Sequence, residues 1–124
     1  MRLDQLYQFI SANISTKVFP IVVPVDFTDD AIIYNLESVQ YEDSFDGETN
    51  FYQARVNFVS VSKTALSAIG TSQTLEDLLT DFSGFLVAGG QYVQDTQMID
   101  KATVFDPTAD CFGVSLTVEF YYNN

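Results

Sequence analysis

The chain has 124 residues, 47% of them hydrophobic and 15% aromatic, which fits one domain with its own core and disfavours a disordered chain. Its 17 acidic residues outweigh 5 basic ones, for a formal net charge of −12. Tight nucleic-acid binding is therefore disfavoured, because such proteins neutralise phosphates with clustered cations and the basic residues here are few and scattered.

Cysteine use and hydropathy bear on the compartment. Cys111 is the only cysteine, so an intrachain disulfide is impossible and nothing points to an oxidising compartment. The N-terminus lacks a basic stretch followed by a long apolar run, and no segment approaches the roughly 20 apolar residues that span a bilayer. We expect a soluble, unprocessed protein that assembles in the cytoplasm and has no membrane partner.

The first 25 residues predict a short helix followed by an extended segment. Apolar residues from Leu3 to Ile14 recur at helical spacing, which predicts an amphipathic helix over residues 2 to about 14. Pro20 and Pro24 preclude a helix over residues 19 to 25, so this segment is expected to run extended between helix and sheet.

Two strands joined by a polar loop are predicted next. The segment from Ala31 to Tyr41 alternates approximately between apolar and polar residues, and residues 52 to 58 alternate strictly. Past Phe58 the alternation inverts, which predicts a bulge or the end of the strand. Asp46 and Gly47 lie in the short polar connector and favour an antiparallel hairpin.

A second helix is predicted from Thr74 to Gly89. Leucines and phenylalanines recur there at helical spacing, Thr74 is a favourable N-cap, and Gly89 with Gly90 can end a helix in the left-handed conformation. The stretch from Lys63 to Ile69 is interpreted as an earlier helical turn that Gly70 breaks.

The last third of the chain predicts two more strands. Residues 97 to 105 form the third strand, residues 106 to 110 have the composition of a turn, and residues 112 to 122 alternate strictly. The predicted fold class is therefore α+β: one domain over residues 1–124, with a four-stranded antiparallel sheet and two helices packed on one face.

The opposite face of this sheet is expected to be polar and free to meet a neighbouring subunit. The side chains predicted to lie on it are Gln53, Arg55, Asn57, Val59, Thr117, Glu119 and Tyr121.

The residue types argue against an enzyme. The chain has no histidine, which excludes Ser-His-Asp and Cys-His nucleophile systems and zinc sites that contain histidine. Cys111 stands at the start of an apolar strand with no base nearby in sequence and is interpreted as structural. No catalytic residue and no cofactor are predicted.

Two groups of carboxylates are the only candidates for a metal site or an acid/base pair. Neither follows the spacing of a calcium-binding loop, so the second group is interpreted as a solvated hairpin loop and no metal site is predicted. The groups are Asp26, Asp29 and Asp30, and then Glu42, Asp43, Asp46 and Glu48.

The order of these segments resembles the tail terminator, or tail completion, proteins of long-tailed bacteriophages. The resemblance lies in the N-terminal helix, the extended residues 21–24, the strand from residue 31 to 36, the hairpin through residues 44–47 into residues 51–58, a helix, and the closing residues 112–122.

The resemblance implies a virion protein without enzymatic activity. Such proteins form a ring, typically of six subunits, that caps the head-proximal end of the tail tube and ends its polymerisation. The implied partners are other copies of the chain, the tail tube protein and neck or connector proteins, and the implied location is the tail or neck of a virion assembled in the bacterial cytoplasm.

Charge adds a rationale for such a ring. Six copies at −12 each would carry about −72 formal charges, and an acidic channel lets DNA pass without binding. The acidic loop residues Glu42, Asp43, Asp46 and Glu48 are predicted to face a neighbouring subunit or the channel. Two alternatives stay open: another neck or head-tail connector subunit, and a small-ligand binding domain that uses the concave face of the sheet.

Overall fold

The computed structural model describes residues 1–21, 30–42, 51–106 and 111–123, and it contains two helices and six strands within those ranges. In chain order they are α1 (Leu3–Asn13), β1 (Lys17–Pro20), β2 (Ala31–Glu42), β3 (Phe51–Ser62), α2 (Ala65–Leu79), β4 (Gly84–Phe85), β5 (Tyr92–Asp106) and β6 (Cys111–Asn123). Neither helix is long and apolar enough to cross a membrane.

The strands form one curled, mixed sheet in the order β1-β2-β3-β6-β5-β4. Strand β1 runs parallel to β2, whereas every other neighbouring pair is antiparallel. The predicted four-stranded antiparallel sheet is therefore wrong. The two added strands are four and two residues long and lie at the sheet edges, and so short a segment carries no alternation that would reveal it.

The core lies between the helices and one face of the sheet. Leu6 and Ile10 of α1 and Leu75 and Leu79 of α2 are completely buried, and they join the inward side chains of the sheet in one apolar cluster. The amphipathic pattern predicted for the first helix is confirmed by this packing. We call the sheet face that the helices do not cover the outer face.

The N-cap of helix α2 lies ten residues earlier than predicted. Thr64, not Thr74, is the N-cap, and its hydroxyl oxygen accepts a hydrogen bond from the backbone N–H of Ser67 at 3.3 Å. Gly70 lies inside the helix without breaking it, with open space where a Cβ would be. The weak signal from Lys63 to Ile69 was therefore the start of the helix.

The same helix also ends earlier than predicted. It stops at Leu79: Thr80 already has an extended backbone with ψ of 125°, and Asp81 after it is left-handed with φ of 56°. Gly89, which was expected to end it, also has positive φ, but it lies in the turn between β4 and β5, where Gly90 N–H donates to the Val87 carbonyl at 2.9 Å.

Strand β3 does not bulge or end at Phe58 as predicted. Its pairing with β6 runs without a shift from Phe51 to Ser62, and Ser60 lies buried on the core face. The bulges are elsewhere: one in β2 between Leu36 and Ser38, and two in β5 that follow Val93 and Met98. The inverted alternation thus reflects a serine in the core rather than a change of backbone.

Candidate functional site

The centre of the outer face is tied together by an ion pair between neighbouring strands. Arg55 on β3 lies directly opposite Glu119 on β6, and its Nη2 is 2.9 Å from Glu119 Oε2. The side chain of Glu119 is only 12% exposed, so water screens this pair less than it would a fully exposed one. The pair makes the middle of this face neutral in a strongly acidic chain.

Tyr121 extends the network to β5. Its hydroxyl lies 2.6 Å from Glu119 Oε1 and 3.0 Å from Gln97 Oε1. The hydroxyl has one proton, which the carboxylate takes as the stronger acceptor. This hydrogen bond, with that from Arg55, lowers the pKa of Glu119, and the same carboxylate raises the pKa of Tyr121 to about 12.

The next pair along the same two strands is bridged by an amide. Asn57 Nδ2 donates to Ser115 Oγ at 2.8 Å and to Thr117 Oγ1 at 3.2 Å. These bonds hold the polar side chains against the sheet instead of leaving them free in water. The outer face is therefore an ordered polar surface.

We expect Tyr121→Phe to destabilise the fold by about 1 kcal/mol at pH 7, since it removes a hydrogen bond to a charged group at a partly exposed site. Because the pKa of Glu119 is lowered in the folded state, its contribution to the free energy of unfolding is full above the ordinary value of 4.5 and is lost as pH falls through the folded pKa. The difference between wild type and variant should therefore shrink in acid.

Urea unfolding of both proteins across this pH range measures the effect. Tyr92→Phe is the matched control, because the Tyr92 hydroxyl is exposed and lies 3.4 Å from Ser83 Oγ, with no carboxylate in that contact. A Tyr121→Phe effect that stays constant from pH 7 to about pH 3 would contradict the coupling to Glu119.

Both edges of the sheet are only partly covered. Strand β4 pairs with Tyr92 and Val93 alone, so the outer edge of β5 over residues 94–106 has no partner strand among the described residues. Strand β1 pairs with residues 31–34 of β2 and leaves the outer edge of residues 35–42 equally without a described partner. We call these two stretches the β5 edge and the β2 edge.

Exposed apolar side chains concentrate near the β5 edge. Phe85 and Tyr92 stack edge to face at the start of this edge, with ring centroids 5.0 Å apart. Ile99 and Phe105 follow further along β5, and the exposed fractions of these four side chains range from 38% to 56%. Exposed apolar side chains that follow one strand edge make this edge a candidate contact surface.

Two open grooves border the sheet. One, of about 520 Å³, lies beside the start of β4 and is lined by Asp81, Gln94, Asp95, Thr96, Gln97 and Tyr121. The other, of about 510 Å³, lies between the end of α1 and helix α2 and is lined by Asn13, Ile14, Ser15, Thr16, Ser67, Gly70, Thr71 and Thr74. Both are open and mostly polar, unlike the enclosed apolar clefts that hold small ligands.

The comparisons with known proteins give a fold and no family. No family model and no curated protein matches the chain. Among solved structures, it is similar to a chain of the "Virion of native gene transfer agent (GTA) particle", with a TM-score of 0.70. That match covers 96% of this chain and 92% of the other at 13% sequence identity. The two chains share a fold.

Of the predicted loop residues, the structure reaches only the first. Glu42 is the last residue of β2, and its backbone pairs with Phe51. Asp43, Asp46 and Glu48 lie outside the described residues, so the role of the acidic loop stays a prediction.

The structure also describes only part of the other set of acidic residues, Asp26, Asp29 and Asp30. Asp26 and Asp29 lie outside the described residues, whereas Asp30 accepts a hydrogen bond from the Ser67 hydroxyl. This bond, with one from Ser62, lowers the pKa of Asp30 and ties the start of β2 to α2. The described ranges hold no group of three or more side chains suited to bind a metal ion.

The alternation in sequence located the outer-face residues correctly, since residues 53, 55, 57 and 59 pair in register with residues 121, 119, 117 and 115. It missed Gln97 and both open edges. The exposed apolar residues Ile99 and Phe105 within a predicted strand were the available signal for the β5 edge.

Proposed function

We propose that this chain is a structural protein of a phage-like virion, without enzymatic activity, in which residues 1–124 act as one domain. The observation that supports this is the shared fold with a chain of a gene transfer agent virion, which extends over nearly the full length of both proteins. An ordered polar face and two open sheet edges fit a protein that works by contact with neighbours.

Within that class we propose a tail terminator. The chain would form a ring, of six copies by the resemblance in its sequence, that caps the head-proximal end of the tail tube and ends its polymerisation. Its partners would be the tail tube protein below and the neck proteins above. With −12 formal charges per copy, the ring can present an acidic channel along which DNA passes without binding.

Native mass spectrometry of the purified chain tests the ring. We expect a species of about six times the 13.9 kDa chain. Adding this species to polymerising tail tube protein should shorten the tubes. In particles, the labelled protein should form one ring at the upper end of the tube. A chain that stays monomeric at tens of micromolar, leaves tube length unchanged and is missing from particles would refute the proposal.

The same experiments separate the terminator from a connector subunit. A terminator contacts the uppermost layer of the tube and controls its length, whereas a connector contacts the portal and leaves tube length unchanged. Electron cryomicroscopy of the particle would show which of the two positions the ring occupies.

A further inference from the structure

The β5 edge has no partner strand among the described residues and can pair with a strand of another chain. Strand β4 pairs only with Tyr92 and Val93, just before this edge, and the groove lined by Asp81, Gln94 and Gln97 lies beside the start of β4 at Gly84. An uncovered edge presents a row of backbone N–H and C=O groups that can pair with a strand of another chain. A strand entering this groove would continue the line of β4 along β5.

The β2 edge is open for a comparable reason. After Pro20, which has no N–H to donate, Ile21 gives one last hydrogen bond to the Tyr34 carbonyl at 3.0 Å. Ile21 has φ of 68°, a left-handed conformation that departs from the extended backbone of β1. Within the part of the chain that the structure describes, residues 35–42 have no partner strand on this side and form a second edge at the opposite end of the sheet order from β5.

The directions of the two strands fit each other. Three antiparallel steps lead from β2 through β3 and β6 to β5, so β2 and β5 run in opposite directions. A second copy that is rotated about an axis roughly parallel to the strands keeps the strand directions of the first. Its β2 edge can then lie antiparallel to the β5 edge of the first copy. Repeating this rotation gives the head-to-tail contact that closes rings.

We propose that the β5 edge, residues 94–106, pairs antiparallel with the β2 edge, residues 35–42, of the next copy of this chain. This inference takes the ring from the proposed function and adds the surface through which neighbouring subunits would contact each other. The contact would also cover Ile99 and Phe105, which are exposed in the single chain. The sheets of successive subunits would then join into one continuous band around the ring.

Charge gives this contact a distinctive salt dependence. The sequence places Asp95, Asp100 and Asp106 against a single Lys101 on the β5 edge, and Glu37 with Glu42 on the β2 edge. Both edges are net negative and repel each other. Salt screens that repulsion, so assembly should strengthen from about 0.01 M to about 0.5 M salt, opposite to an interface held by ion pairs.

Hydrogen-deuterium exchange on the wild-type chain tests the backbone pairing. The ring at high salt is compared with the dissociated chain at low salt. We expect at least tenfold slower exchange in the ring for alternate amides of residues 35–42 and of the stretch of about eight residues within 94–106 that pairs with them, with unchanged exchange in β3 and β6. A ring whose exchange in both edges equals that of the single chain overturns the inference while leaving the proposed function intact.

Charged substitutions test the same contact independently. Ile99→Glu and Phe105→Glu should each lower the fraction of assembled chain at least tenfold, because each places a further negative charge in a contact between two acidic edges; the fraction is measured by light scattering after size exclusion. Leu66→Glu is the matched control, because Leu66 is exposed on helix α2 rather than on either sheet edge, and should leave assembly unchanged. Circular dichroism confirms that each variant is folded.

The outcomes keep the two proposals apart. Equal assembly of Ile99→Glu, Phe105→Glu and Leu66→Glu would overturn the edge contact, whatever the protein's place in the virion. Assembly through these edges in a protein that is absent from particles would support the contact and refute the virion role. A wild-type chain that stays monomeric at high salt overturns the edge contact directly.

Discussion

Replacing Phe120 with alanine is expected to lower the free energy of unfolding by about 3–5 kcal/mol. Phe120 is completely buried on β6, and its ring meets that of Phe58 on β3 edge to face, with centroids 6.4 Å apart. The substitution removes the transfer free energy of a large apolar side chain and leaves a cavity between the two central strands and the helices. Urea unfolding followed by circular dichroism measures the loss.

Phe105→Ala is the control for this substitution. Phe105 lies on the adjacent strand β5 but is 49% exposed, so its truncation should cost less than about 1 kcal/mol. Both variants are measured at a concentration low enough to keep the chain dissociated, because assembly would add stability of its own. Equal losses for the two variants would show that Phe120 does not anchor the core.

The sequence predicts best the helices and strands that have one face in the core and the opposite face in water. Helix α1 has one buried stripe, including Leu6 and Ile10, and the predicted range differs from the observed one by a residue at each end. Strand β6 alternates from Phe112 to Tyr122 because one side chain in two enters the core. Each pattern depends only on which face is covered.

Helix α2 shows where that logic fails. Phe82 and Leu86 continue the helical spacing of Leu75 and Leu79, yet both lie beyond the helix and pack on the same core, Phe82 from before β4 and Leu86 from directly after it. Meanwhile residues 65–74 contain serine, threonine and glycine, which do not predict a helix from local propensity. Tertiary contacts determine both ends of α2, and a periodicity cannot show them.

The candidate site divides in the same way. Alternation identified the polar outer face, because Arg55 and Glu119 stand out within apolar strands. It gave no sign of the open edges, since whether an edge is covered depends on where the short strands β1 and β4 end. Those ends are set by Pro20 and Ile21 on one side and by a two-residue pairing on the other.

Thr96→Val is expected to lower the free energy of unfolding by about 1–3 kcal/mol, because it keeps the shape of the side chain but removes the hydroxyl that bonds backbone groups at the end of helix α2. Thr96 is buried on β5, and its hydroxyl donates to the Leu79 carbonyl and accepts from the Phe82 N–H at 3.1 Å. Both backbone groups lie where the helix turns toward β4. In the variant the carbonyl loses its side-chain donor in a site with little water.

Two further variants isolate the role of this hydroxyl. Thr103→Val makes the same change at an exposed position of the same strand and should alter the free energy of unfolding by less than about 0.5 kcal/mol. Thr96→Ser keeps the hydroxyl and should recover most of the loss. If Thr96→Val proved no more costly than Thr103→Val, the helix end would be fixed by backbone contacts alone. If Thr96→Ser proved as costly as Thr96→Val, the methyl group would matter more than the hydrogen bonds. The predicted order, with the free energy of unfolding lowest for Thr96→Val and higher for Thr96→Ser and Thr103→Val, would show that the Thr96 hydroxyl stabilises the end of α2 at Leu79.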